Sequence, residues 1–150
     1  YENRYDPFQE QDVKIFRWLM RGTSNKASVQ EKQEIVHYLL RFGGKYQHNI
    51  NSILFGIAKD KRAYPETRIN TARFLVEVLN TYKNDTANIL FEMAMDKQQI
   101  SYWRIQAATT LATLFEGGKL SAKDALIQMS NEIELNDFWR TQAQKTAFSF

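Results

Sequence analysis

The chain has no cysteine among its 150 residues. That excludes disulfides, thiol nucleophiles and Cys-ligated zinc. Only two prolines and six glycines are present, and strand-like alternation is rare. So few breakers point to helices. Histidine is as scarce. His37 and His48 form neither a His-x-x-x-His nor a Glu-x-x-His arrangement, so no metal site is expected. No apolar run reaches the ~18–20 residues that span a bilayer, so no transmembrane segment is expected. There is no Gly-x-Ser-x-Gly elbow. "RFGGKYQ" from Arg41 lacks phosphate-loop spacing and a preceding strand, and reads as a turn. No cofactor is implied.

What is present is ordinary for a globular domain: 43% hydrophobic and 25% charged residues. The length suits one domain with a sizeable core, taken as residues 1–150. Net charge is +3 but unevenly placed. Residues 14–73 carry twelve Lys/Arg against four Asp/Glu, whereas residues 76–150 carry seven against nine. The basic half suits an acidic partner or a nucleic acid, and solvated helix surface is the plainer reading. The first residue is Tyr1 rather than methionine, which leaves a signal peptide or lipid anchor open. The sequence leaves the location open, with cytoplasm favoured over a periplasmic or anchored one.

The main positive signal is a period. Trp103-Arg104 returns as Trp139-Arg140, 36 residues later. The same step backwards leads from Arg104 to Arg68 and then to Lys32. Leu39, Leu75 and Leu111 keep it, as do Val36, Ala72 and Ala108. "ILFGIAKDK" from Ile53 matches "ILFEMAMDK" from Ile89, and "ALIQMSNEI" follows from Ala125. Self-similarity at a fixed step marks a repeat architecture.

Each interval splits into two helical stretches. The first helices are expected near 12–20, 47–59, 85–97 and 122–131, the second near 29–42, 66–82, 102–115 and 138–150. The repeats then cover about 12–44, 45–83, 84–118 and 119–150, with 1–11 as a lead-in or cap. Tyr1, Tyr5 and Phe8 are expected to cover the exposed face of the first repeat. Gly43-Gly44 and Gly117-Gly118 suit the left-handed position after a helix end. Pro65 suits a first helical turn. Ser28, Ser101 and Ser121 are candidate N-caps.

"PETRINTARFL" and "YWRIQAATTLATL" resemble the second helix of HEAT-like repeats, and the resemblance covers about residues 12–150. It implies an all-α, right-handed α-solenoid of about four helix pairs. It implies no particular activity.

On a wheel of ~100° per residue, Arg68, Ile69, Thr71, Ala72, Leu75, Val76 and Leu79 share one arc. Ile105, Ala107, Ala108, Leu111, Ala112 and Phe115 form its counterpart. Arg68 and Arg104 therefore point inward, and a buried cation needs an acid. Asp60, Asp96 and Glu132 each lie eight residues before Arg68, Arg104 and Arg140. The resemblance implies a structural acid–Arg ladder from these six, each Arg bridging turns within or between repeats.

Trp103, Gln106, Thr110 and Thr113 fall on the opposite face, matched by Trp139, Gln142, Thr146 and Ser149. In solenoids of this type the second helices line the concave surface. The expected partner-binding stripe is Glu34, Tyr38, Asn70, Phe74, Trp103, Gln106, Trp139 and Gln142. Tryptophan and tyrosine are favoured anchors for protein ligands, although Trp103 and Trp139 also suit packing over the helix-pair turn. Lys59, Lys61, Arg62 and Arg73 would steer an acidic partner. The expected function is a non-enzymatic scaffold or adaptor that binds a protein or peptide segment, with no catalytic residue. One HEAT-like family, the alkylpurine DNA glycosylases, supplies the alternative of a nucleic-acid-binding, DNA-repair protein. A component of a membrane-associated or secreted assembly is the third reading.

Overall fold

The computed structural model describes residues 7–150, with side chains from residue 11 onward. The expected cap of Tyr1, Tyr5 and the Phe8 side chain lies outside those residues. The described chain is all-helical, with no strand. Its helices are α1 (Pro7–Thr23), α2 (Val29–Leu39), α3 (Gln47–Lys59), α4 (Pro65–Glu77), α5 (Lys83–Met95), α6 (Ser101–Leu114), α7 (Gly118–Ser130) and α8 (Asp137–Phe148). A 3-10 segment, Leu40–Tyr46, follows α2. Helices α2, α4, α6 and α8 begin at steps of 36 residues. The chain forms two compact units, which divide between Ile57 and Ala58 inside α3.

In the N-terminal unit α1 packs on α2. The core holds Ile15, Ile35, Val36, Leu39, Ile50 and Ile53, with Trp18, Leu19 and Tyr38 against it. Ser28 starts α2 by accepting the Glu31 N–H at 3.1 Å, which satisfies one of the free amides of the first turn. The 3-10 segment is kinked in its middle at Gly43, whose φ of +63° strains any residue with a Cβ. Among the described residues Gly43 is the only glycine with positive φ.

In the C-terminal unit each helix from α4 to α8 packs on the next and on the next but one. Helix α6 lies at the centre of this stack, with Ile105, Ala107, Ala108, Leu111 and Ala112 all buried. Its alanines allow close helix approach. Gly118 does the same at the start of α7, where a Cβ would collide with the Leu111 backbone oxygen. Gly117-Gly118 therefore serves contact rather than a left-handed turn, and Gly117 has φ −77°.

Other boundaries differ for local reasons. Helix α4 ends before 82 because Asn80 turns left-handed, at φ 52°, and the Thr81 N–H closes on Leu75 O at 3.0 Å. Ser101 and Ser121 lie inside helices rather than capping them. Asn136 caps α8 instead, accepting the Trp139 N–H at 3.0 Å.

Candidate functional site

The 36-residue step places like residues on packed neighbours. Tyr102 and Trp103 occupy the first turn of α6, and Phe138 and Trp139 the first turn of α8. Since α6 packs on α8, the four rings form one row. Phe138 lies 5.0 Å from Trp139, Trp139 6.5 Å from Tyr102, and Tyr102 4.9 Å from Trp103, between ring centroids. Each pair meets edge to face, a favourable quadrupole arrangement. Tyr102 is 46% and Phe138 60% exposed, and both tryptophans are half-buried. Exposed Ile100 and Ile133 lie in the turns before α6 and α8.

The rest of the expected stripe divides. Gln106 and Gln142 are half-buried, and Asn70 and Phe74 are exposed on α4. Thr110 departs from its expected outward position. It is buried, donates to Gln106 O at 2.8 Å and accepts from Arg73 Nη2 at 3.3 Å. The Arg73 side chain spans from α4 to α6 and covers it. Glu34 and Tyr38 belong to the N-terminal unit. They line a cleft of about 410 Å³ with Trp18, Ile35, His37 and Arg41. Lys14 Nζ lies 5.2 Å over the Trp18 ring, and the Arg41 guanidinium 5.7 Å over the Tyr38 ring. Beside them Arg21 pairs with Glu31 at 2.7 Å, which holds the Glu31 carboxyl below its ordinary value.

Of the expected steering cations, Lys59 is exposed at the end of α3 and Lys61 in the turn before α4. Arg62 is neutralised by Asp60, whose Oδ2 accepts from Nη2 at 2.8 Å and Oδ1 from Nε at 3.0 Å. Asp60 Oδ1 also accepts the Arg62 backbone N–H at 2.9 Å.

The ladder residues are used differently from the eight-residue pairing. Each arginine donates from Nε to a carbonyl ten residues back: Arg68 to Ala58 and Arg104 to Ala94 at 2.9 Å, Arg140 to Ser130 at 3.3 Å. The arginines thus occupy free carbonyls at the ends of the preceding helices. For Arg104 the acid comes from the following interval. Arg104 Nη1 and Nη2 hold Glu132 at 2.7 and 2.6 Å, with Arg104 only 2% exposed. Arg104 draws the Glu132 carboxyl below its ordinary value chiefly through these hydrogen bonds, against the opposing effect of burial. Asp96 instead accepts the Gln98 N–H at 3.0 Å. Arg140 pairs with Asp137, at 3.5 Å. Burial lowers the Arg68 pKa from its ordinary value, opposed by Asp60, Asp96 and Glu92.

Sequence reasoning missed Tyr102 and Phe138, although the aromatic-Trp-Arg triplets "YWR" and "FWR" carry the signal. It also missed Glu132 as the partner of Arg104, because the eight-residue spacing drew attention to Asp96. No group of three or more His, Asp or Glu side chains suited to a metal occurs among the described residues. No helix among them is long and apolar enough to cross a membrane. Neither a protein-family model, nor a curated protein, nor a solved structure matches the chain.

Proposed function

We propose that the chain is a short right-handed α-solenoid of about four HEAT-like helix pairs, acting as a non-enzymatic scaffold or adaptor. Three observations support the repeat reading. Second helices start every 36 residues. The Arg-to-carbonyl bond recurs three times. Helices α4 to α8 pack in sequence.

The ring row of Tyr102, Trp103, Phe138 and Trp139, exposed at Tyr102 and Phe138, carries the functional reading. Aromatic side chains that already contact one another lose little freedom on binding and bring a large apolar area. A protein segment laid across the first turns of α6 and α8 would cover them together with Ile100 and Ile133. Affinity capture from native extract tests this, comparing wild type with a Tyr102→Ala/Phe138→Ala variant of unchanged circular dichroism. A protein retained by wild type and lost by the variant supports the reading. Identical capture by both forms sinks it.

One observation favours nucleic acid as a second reading: the cations Lys14 and Arg41 lie over aromatic rings in the basic N-terminal unit. A steep fall of DNA or RNA affinity with salt is its expected signature.

A further inference from the structure

Arg68 and Arg104 hold equivalent positions and use Nε alike, yet their forks differ. The Arg104 fork is filled by Glu132, with the charge of Lys97 also acting on that carboxylate. The matching residues for Arg68, 36 positions earlier, are Lys61 and Asp96. Lys61 keeps the second cation. Asp96 is one methylene shorter than glutamate, and its Oδ1 is engaged with the Gln98 N–H. Among the described residues no ion pair forms at Arg68, although it is only 6% exposed. Arg68 instead lines a cleft of about 270 Å³ with Lys61, Glu92, Met93 and Asp96.

A guanidinium fork is shaped for a carboxylate received through two parallel N–H bonds. We propose that this cleft binds an external carboxylate, which sits on the Arg68 fork beside Lys61 as Glu132 sits on Arg104. The walls limit what enters. Glu92 and Asp96 oppose any anion and most strongly a polyanion, so the ligand carries a single carboxylate group. The volume falls below the ~300–1,000 Å³ of drug-sized pockets, which suits a small acid or one glutamyl side chain. The site does not rest on the aromatic row, and its failure leaves the scaffold reading untouched.

The test follows the Arg68 Nε–H resonance by nitrogen-15 NMR, assigned with Arg68→Lys. Sodium acetate and a blocked Gly-Glu-Gly peptide are titrated separately at constant ionic strength. A saturable shift at Arg68, absent at Arg104, is expected with at least one probe. Lys61→Ala, at an exposed position, weakens that binding by about threefold, the scale of one solvent-facing charge. Asp96→Glu abolishes it, because the longer side chain takes the fork from within. Equal affinities identify a general monocarboxylate site. A peptide preference of about tenfold identifies a glutamyl side chain as the occupant. A shift that only tracks added salt, that is equal at Arg68 and Arg104, or that is unchanged in Lys61→Ala overturns the proposal.

Discussion

Glu132→Gln is the sharpest test of how the C-terminal unit is held together. The substitution keeps the shape of the side chain but removes the charge facing Arg104. Arg104 retains its bond to Ala94 O at 2.9 Å, so one of its three hydrogen-bonded nitrogens is unaffected. The other two face a neutral amide that offers one acceptor where the carboxylate offered two, at 2.6 and 2.7 Å. Charge-assisted bonds contribute ~1.5–3 kcal/mol each, and uncovering a buried partner costs ~3–5 kcal/mol. The retained carbonyl bond and the partial exposure of Glu132 reduce this, so a loss of about 2–4 kcal/mol at neutral pH is expected. Arg104→Ala should lose a similar amount, and the double variant much less than the sum. Urea unfolding reads these values, provided the slope stays constant. The pH dependence adds a second readout. The folded pKa of Glu132 lies below its unfolded value. Its stabilisation is therefore complete above the ordinary carboxylate value of ~4.3 and is lost as pH falls through the folded value. Wild type should lose this increment in acid, and Glu132→Gln should not. A loss below ~0.5 kcal/mol, the level of an exposed pair, would refute the reasoning, as would an unchanged acid profile.

Three further substitutions probe the packing. Thr86→Val should stabilise by about 1 kcal/mol in urea unfolding, because Thr86 Oγ1 is buried with no protein hydrogen-bond partner. Gly118→Ala should destabilise by at least ~1–3 kcal/mol, since the added methyl meets the Leu111 backbone oxygen rather than a yielding side chain. Ser28→Ala should cost about 1 kcal/mol through loss of the α2 cap, and Ser28→Asp should restore it.

The helices were legible because hydrophobic spacing and breaker residues act locally. Pro65 and the Trp-Arg pairs marked starts that the structure keeps within a residue. Boundaries set by chain reversal were less visible. Asn80 does carry a signal, since asparagine tolerates the left-handed region better than most residues, but the apolar pattern running on to Leu79 outweighs it. Arg68 and Arg104 were recognisable as buried cations from the helical wheel alone. Their partners were not, because side-chain length decides them. Glu132 reaches across to Arg104, whereas Asp96, one methylene shorter, turns to its own backbone. Thr110 was misread for a related reason: the wheel describes one helix, and Arg73 covers Thr110 from another.

The Arg104–Glu132 bond ties the first turn of α6 to the loop before α8, so it fastens one helix pair to its successor rather than closing a single pair. Cooperativity should therefore run unevenly along the chain. Where that bond exists, opening one pair exposes an ion belonging to its neighbour, and the two should open together. At Arg68 no such bond holds the preceding pair to the next. In native-state hydrogen exchange, α4 should open at lower free energy than α6, which makes the start of the C-terminal unit its weakest seam.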